Sequence, residues 1–274
     1  MARSKRDTSE ALAISEALSI WERPEPTSRP VPSPLSRERI VRAAIASADE
    51  GGLDSVSLRK VAAALDAGPM RLYGYLSSKE ELLELMVDAV YGEMLPAARP
   101  GGEWRDALRA IARRMRQAAR EHGWFAALLG GRLHLGPNAL AHQEATFAAL
   151  SGTPGFADID VAMQALRIAN AYVIGAIRVE AGERRAEIES GMDKAQWRTA
   201  TGPYMHRMLA TGRFPHLARV LREATNPPVD VEFDQGLDRV LDGIAARLPH
   251  PAEEPSTAAT RGGPGRGVGD PQPA

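Results

Sequence analysis

Residues 57–81 have the sequence SLRKVAAALDAGPMRLYGYLSSKEE. Ser57 is placed to cap a short helix. The apolar residues of that helix share one face: Leu58, Val61, Ala62 and Leu65. A turn follows at 66–68, and Pro69 stands where the first turn of a second short helix, over 69–75, tolerates proline. Two short helices joined by a three-residue turn predict a helix-turn-helix.

Helical signals continue on both sides of this stretch. Ser36 is placed to cap a preceding helix that Gly51 and Gly52 end. Ser78 and Glu81 fit a capping box that opens a longer helix. Further helices are predicted over Trp104–Glu121, Pro137–Leu150, 159–182, 195–209, 215–224 and 233–248. Because no sustained alternation of period two occurs, we predict an all-α protein: an N-terminal three-helix helix-turn-helix domain plus a larger helical domain.

Proline and glycine mark the two ends of the sequence. Residues 22–35 contain five prolines, and residues 249–274 contain six prolines and five glycines. Such composition favours extended or disordered chain over a packed core. We therefore predict a disordered extension and proline-rich linker over 1–35 and a disordered tail over 249–274. Between them we place the helix-turn-helix domain at 36–80 and the larger helical domain at 81–248.

Composition and motifs narrow the functional classes. The 274 residues have a net charge of −1 and no cysteine, which excludes disulfides, zinc fingers and thiol catalysis. No apolar stretch reaches the roughly 20 residues of a membrane span, and no secretion signal is recognised, so a cytoplasmic, soluble protein is expected. Walker, Rossmann, His-Glu-x-x-His and Gly-x-Ser-x-Gly motifs are absent from the sequence, and we predict no enzyme, no cofactor and no metal site.

Three stretches resemble the DNA-binding domain of the TetR family of transcriptional regulators, and the alignment that contains them needs no insertion or deletion. They are IVRAA at 40–44, GGLDSVSLRKVA at 51–62 and LYGYLSSKEELL at 72–83. LHLG at 133–136 and FDQGLDRVLDG at 233–243 more weakly resemble the tetracycline-repressor subgroup. The resemblance implies a one-component repressor that combines DNA reading with ligand sensing. It implies that 36–80 is the DNA-binding domain and that 81–248 is a helical ligand-binding domain, for effector binding and dimerisation.

The resemblance also implies six DNA-contacting residues: Arg59, Met70, Arg71, Tyr73, Tyr75 and Lys79. Met70 and Arg71 match positions that read base edges, and Lys79 matches a lysine that holds a phosphate at a helix N-terminus. From chemistry alone, Arg71 is the best specificity candidate, because a guanidinium pairs bidentately with guanine.

This sequence departs from the family pattern in the recognition region. Asp66 stands in the turn where the family usually has glycine, and aspartate tolerates left-handed backbone better than most residues. Gly68 and Gly74 stand where larger side chains are common, which leaves fewer base contacts. The basic residues Arg3, Lys5 and Arg6 are either an additional minor-groove or phosphate contact or a solvated tail.

Two predicted helices have more apolar surface than one domain needs. The 159–182 helix is apolar over most of its circumference, and the last helix has a stripe at Phe233, Leu237, Val240, Leu241, Ile244 and Leu248. The resemblance implies that they form a four-helix interface in a homodimer, which would match a pseudo-palindromic operator. The alternative is that both helices belong to the core of a monomer.

Large side chains of the second domain are candidates for an effector pocket. They are Trp104, Trp124, Phe125, His134, Phe147, Met163 and Tyr172, and they suit an aromatic or amphipathic ligand or, alternatively, a plain core. His134 lies in a His-Leu-Gly context that resembles a metal-drug ligand of tetracycline repressors. Because Pro137 follows, rather than a hydroxyl donor, we favour a structural or pocket-lining histidine. His142 and Glu144 are predicted on a solvated helix face.

The function expected from the sequence is a ligand-responsive transcriptional regulator. As a repressor it would bind operator DNA as a homodimer and be released by an unknown small-molecule effector. The alternative is a helix-turn-helix regulator or activator without a small-molecule ligand.

Overall fold

The computed structural model describes residues 19–26, 35–95, 103–131 and 133–248. The expectations for Arg3, Lys5 and Arg6, and for disorder over 1–18, 27–34 and 249–274, lie outside the described residues. Within the described ranges, all regular structure is helical, which confirms the predicted all-α class. No helix in these ranges is both long and apolar enough to cross a membrane.

Eleven helices are present in the described ranges. The first four are α1 (Arg37–Gly51), α2 (Leu58–Ala64), α3 (Pro69–Leu72) and α4 (Lys79–Met94), with a short 3-10 turn at Leu53–Ser55. Then follow α5 (Trp104–Glu121), α6 (Phe125–Leu128), α7 (Pro137–Leu150) and α8 (Ile159–Ser190). The last three are α9 (Lys194–Ala210), α10 (Pro215–Glu223) and α11 (Val229–Ala245).

The helix starts follow from side-chain caps. Ser36 Oγ accepts from the Arg39 amide at 3.3 Å, and Ser57 Oγ accepts from the Lys60 amide at 3.2 Å. Each bond satisfies an amide that has no partner inside its helix. The predicted starts of α1 and α2 are therefore confirmed.

The turn between α2 and α3 needs left-handed backbone. Asp66 has a φ of 51°, in the region where glycine is favoured and aspartate is tolerated. The predicted second helix is shorter than expected, because α3 ends at Leu72 and residues 73–75 form a turn.

The helix α4 joins the two parts of the molecule. It packs against α1 on one side and against α5 and α7 on the other. Its buried side chains Leu82, Met86 and Val90 lie in a core that continues from the helix-turn-helix into the larger domain.

The last helix packs against α8 through the predicted stripe. Phe233, Leu237, Leu241 and Ile244 are buried. The helix α8 extends to Ser190, beyond the predicted end near Gly182, because the left-handed stop is Gly191 with a φ of 66°. Its last buried residue is Ile177, so its final turns lie outside the core.

Helices α9 and α10 have no buried residue. Trp197 and Tyr204 on α9 are 53% and 59% exposed, and Val220 and Leu221 on α10 are exposed as well. These two helices therefore present apolar surface that the single chain does not cover.

Residues 19–26 differ from the extended linker predicted for 1–35. Ile20 and Arg23 are buried, and Arg23 donates to Ser77 Oγ at 2.9 Å and to Glu81 Oε1 at 2.7 Å. The prolines allow an extended path, but an apolar side chain and an ion pair fix this segment against the start of α4.

Candidate DNA-binding surface and effector cluster

The short helix α3 is held from one side and open on the other. Leu72, and Leu76 in the turn after the helix, are fully buried, while Met70 is 80% exposed. Arg71 and Tyr73 are exposed beside it. This arrangement leaves a thin helix with an unobstructed face, which is what the major groove of DNA accommodates.

Two further cations lie on the helices that precede and follow α3 in the chain. Arg59 is exposed on α2, and Lys79 is the first residue of α4. Lys79 Nζ donates to the Leu53 carbonyl at 3.3 Å, which holds its ammonium beside the N-terminus of α4. The helix dipole and the ammonium together favour a phosphate there.

Tyr75 does not reach this surface. It is buried, and its hydroxyl donates to the Leu35 carbonyl at 2.8 Å. The predicted DNA contact of Tyr75 is therefore not supported. Tyr75 instead packs inside the domain, where its hydrogen bond links the residue before α1 to the turn after α3.

The start of α4 is capped differently from the predicted box. Ser78 Oγ accepts from the Glu81 amide at 3.2 Å, as expected, but Glu81 accepts from the Ser77 amide at 2.6 Å and from Arg23. Burial raises the pKa of Glu81, but the hydrogen bonds from Arg23 and Ser77 outweigh burial and leave that pKa below its usual value.

The predicted effector-pocket residues lie in different surroundings within the described ranges. Trp104 packs edge-on against Phe156 with ring centroids 5.1 Å apart, and Tyr172 donates to the Phe233 carbonyl at 2.8 Å. Phe147 and Met163 are half-buried. Phe125 and His134 both lie against Tyr91, which the sequence did not single out, and Trp124 contacts Phe125.

We call this group the Tyr91 cluster: Tyr91, Arg114, Phe125, His134 and His142. The Tyr91 ring centroid lies 5.7 Å from Phe125, 5.8 Å from His134 and 5.2 Å from His142. Arg114 on α5 is close enough to act on the pKa of His142. His142 was predicted on a solvated face and is instead buried, because α7 packs between α4 and α5; Glu144 is exposed as predicted.

Asp88, on the same helix as Tyr91, connects α4 to the start of α7. Its carboxylate accepts from the Ala139 amide at 2.9 Å and from Asn138 Nδ2 at 3.0 Å. Burial raises the pKa of Asp88 in spite of these bonds. Gly136 is required beside it, since a Cβ there would overlap the Asp88 carboxyl group.

A second connection lies at the end of α5. His122 Nδ1 is 2.8 Å from Asp49 Oδ1 on α1, and its Nε2 is 3.0 Å from Glu93 Oε2 on α4. Trp124 Nε1 donates to the same Asp49 oxygen at 2.7 Å. Burial lowers the pKa of His122, but the two carboxylates outweigh burial and raise that pKa above its usual value.

A groove of about 640 Å³ lies along α5, α8 and α11. Of the predicted pocket residues, Tyr172 alone lines it, beside the ion pairs of Glu180 with Arg116 and Arg120. Within the described ranges, no group of three His, Asp or Glu side chains is placed to hold a metal ion, and His134 has no such partners there.

Comparisons with known proteins agree with this architecture. Residues 40–86 match the family described as "Bacterial regulatory proteins, tetR family", and residues 95–248 match "Tetracyclin repressor-like, C-terminal domain". The HTH-type transcriptional repressor DrrR1 of Streptomyces coeruleorubidus is 35% identical over 226 residues, covering 82% of this chain and 83% of that relative.

Two further proteins extend the comparison. An HTH-type transcriptional regulator of Saccharopolyspora erythraea is 35% identical over 250 residues, covering 89% of this chain and 97% of the relative. ActR of Streptomyces coelicolor, solved in complex with actinorhodin, superposes with a TM-score of 0.65 at 26% identity, covering 78% of this chain and 97% of that chain.

Proposed function

Because the chain belongs to the TetR family of bacterial transcriptional regulators, we propose that it represses transcription from a pseudo-palindromic operator and is released by a small molecule. It acts as a homodimer, through binding and without a catalytic step. The observation that carries the proposal is the open face of α3, where Met70 and Arg71 project from a helix whose opposite side is buried.

Recognition of DNA divides between two kinds of contact. Arg71 reads a base edge in the major groove, and Arg59, Tyr73 and Lys79 fix the register on phosphates. Tyr75 is left out of this set because its hydroxyl is bonded inside the domain.

The stripe of the last helix, predicted for the dimer interface, is largely buried against α8 of the same chain, as the monomer-core alternative has it. Dimerisation is instead supported by surface that one chain leaves uncovered. The outer face of α8 exposes Ile168 and Val179, and α9 and α10 have no buried residue at all. A second copy related by a twofold axis would cover these apolar side chains and place two α3 helices about one DNA turn apart.

Release by a ligand is supported by the position of α4. This helix contacts the helix-turn-helix at its start and the Tyr91 cluster near its end. A ligand that binds one position of α4 better than another shifts operator affinity by that difference and no more. ActR, bound to actinorhodin, is a structural neighbour with a ligand in place.

A regulator without a ligand is the second candidate. It shares the α3 face, and it predicts that no small molecule changes operator affinity. The buried polar atoms of the Tyr91 cluster that have no partner favour the ligand-responsive form.

The test is fluorescence anisotropy of the full chain on its own upstream DNA, at several salt concentrations. We expect a saturable complex of one dimer per site, with affinity that falls steeply with salt. Arg71→Ala should weaken binding about tenfold or more. Arg113→Ala, which removes an exposed arginine of α5 that pairs with Asp234, is the matched control and should bind as the unaltered chain does. Equal affinity for random DNA would refute the proposal.

A further inference from the structure

The Tyr91 cluster combines polar side chains from three elements with an aromatic side chain from a fourth. Tyr91 belongs to α4, Arg114 to α5, His142 to α7, and His134 to the loop before α7. Phe125 of α6 is fully buried and packs edge-on against Tyr91, with an angle of 79° between the rings. Two aromatic rings therefore lie in one cluster with a guanidinium and two imidazoles.

Three polar atoms of this cluster are buried without a hydrogen-bond partner in the described ranges. They are Nη1 of Arg114, Nε2 of His134 and Nε2 of His142. His142 as a whole is 8% exposed, so water does not solvate its ring freely. Buried polar atoms without a partner are rare and cost stability, and three of them at one place indicate a site built for a further polar group.

The charge of the site indicates the sign of that group. Arg114 forms no ion pair with any described carboxylate, and the nearby Asp88 is already bonded to Ala139 and Asn138. Burial, with Arg114 beside it, lowers the pKa of His142 to about 4, so His142 is neutral near pH 7 and offers one N–H. The cluster therefore has a guanidinium that lacks an anion.

We infer that the Tyr91 cluster binds the carboxylate of a planar aromatic effector, with the carboxylate oxygens accepting from Arg114 and from the imidazole N–H groups. The aromatic ring of the effector packs against Tyr91 and Phe125. A guanidinium paired with a carboxylate gives a strong, directional contact, especially where water is excluded. This inference rests on the proposed function, because it names the class of molecule that would release the operator.

The binding measurement needs no DNA. Naphthalene-2-carboxylate, anthracene-2-carboxylate and anthraquinone-2-carboxylate are titrated into the full chain by calorimetry, each beside its carboxamide, which has the same shape and no charge. We expect at least one acid to bind at least tenfold more tightly than its amide. Trp124, whose ring centroid is 6.2 Å from that of Phe125, should report the same titration by fluorescence quenching.

Two variants test the residues. Arg114→Gln and His142→Phe should each reduce the acid-to-amide ratio towards one. Arg113→Gln removes the neighbouring, exposed arginine, which is paired with Asp234, and should keep the ratio of the unaltered chain. Circular dichroism of every variant establishes that it is folded.

Each outcome decides the inference separately from the proposed function. If no acid is preferred over its amide by the unaltered chain, the carboxylate site is refuted, even if other compounds release the operator. If the preference survives in Arg114→Gln, the acid binds elsewhere and the assignment to the Tyr91 cluster is wrong. Loss of operator binding in the absence of any compound would instead concern the proposed function alone.

Discussion

The two ends of α4 contact different domains and satisfy their polar groups differently. At the N-terminal end, Ser78 caps the helix, Glu81 accepts from Ser77 and Arg23, and Lys79 donates to Leu53. Toward the C-terminal end, Asp88 holds the start of α7, but Tyr91 lies among side chains whose buried polar atoms have no hydrogen-bond partner among the described residues.

This difference distinguishes an end of α4 that is fixed by hydrogen bonds, which we call the anchor, from an end that belongs to the proposed ligand site. The N-terminal end has matched donors and acceptors, so it holds the helix-turn-helix in one position. The C-terminal half has unused hydrogen-bonding capacity, so a ligand can add contacts there. Mutations at the first end should therefore cost mainly stability, and mutations in the Tyr91 cluster should mainly change ligand selectivity.

The largest expected effect is at the anchor. Glu81→Ala removes the carboxylate that pairs with the buried Arg23 and bonds the Ser77 amide, so we expect a loss of about 2–3 kcal/mol in the free energy of unfolding, measured in urea. Glu80→Ala, which removes an exposed acid from the same turn, should have a much smaller effect. Similar losses for both variants would contradict the anchoring role of Glu81.

A smaller loss is expected where α4 holds α7. Asp88→Ala leaves the Ala139 amide without its acceptor, which should destabilise the chain by about 2 kcal/mol in the same assay. Asp88→Asn keeps an oxygen acceptor and removes the negative charge. Burial raises the pKa of Asp88 and so disfavours that charge, and the loss of unfolding free energy should therefore be smaller than in Asp88→Ala. If Asp88→Asn is the more damaging change, the charge rather than the hydrogen bond holds α7.

The smallest effect is expected at His122, and it should depend on pH. The folded-state pKa of His122 is raised above 6.5, so its stabilising contribution is fully present below that pH and is lost as pH rises through the folded-state pKa. The unaltered chain should exceed His122→Gln by about 1 kcal/mol in unfolding free energy near pH 6, with the difference shrinking towards alkaline pH. A difference that grows with pH would show that the bonds to Asp49 and Glu93 do not need the charged ring.

Local chemistry made much of this fold predictable. Ser36, Ser57 and Ser78 each cap the helix predicted from the sequence, because a cap depends on residues within four positions. The apolar stripe of α11 was likewise predictable from its spacing, since apolar residues at helical intervals must pack against another apolar surface.

Contacts between distant segments were not predictable in the same way. Tyr91, Arg114 and His142 are far apart in sequence, and the alanine-rich α7 gives little sign of which side is buried, so His142 was assigned to the solvated face. Tyr75 matched a DNA-contacting position in the family pattern, yet a single carbonyl, that of Leu35, takes its hydroxyl out of reach. The burial of Arg23 depends on Glu81, 58 residues later.

The length of α4 has a mechanical consequence. Its 16 residues span about 24 Å at 1.5 Å per residue. A tilt of about 5° around a pivot near its C-terminal end displaces its first turn by about 2 Å, and in a symmetric dimer the two displacements add. In the proposed dimer, a small rearrangement around Tyr91 would therefore cause a larger change in the distance between the two α3 helices. The size of that change depends on how rigid α4 is.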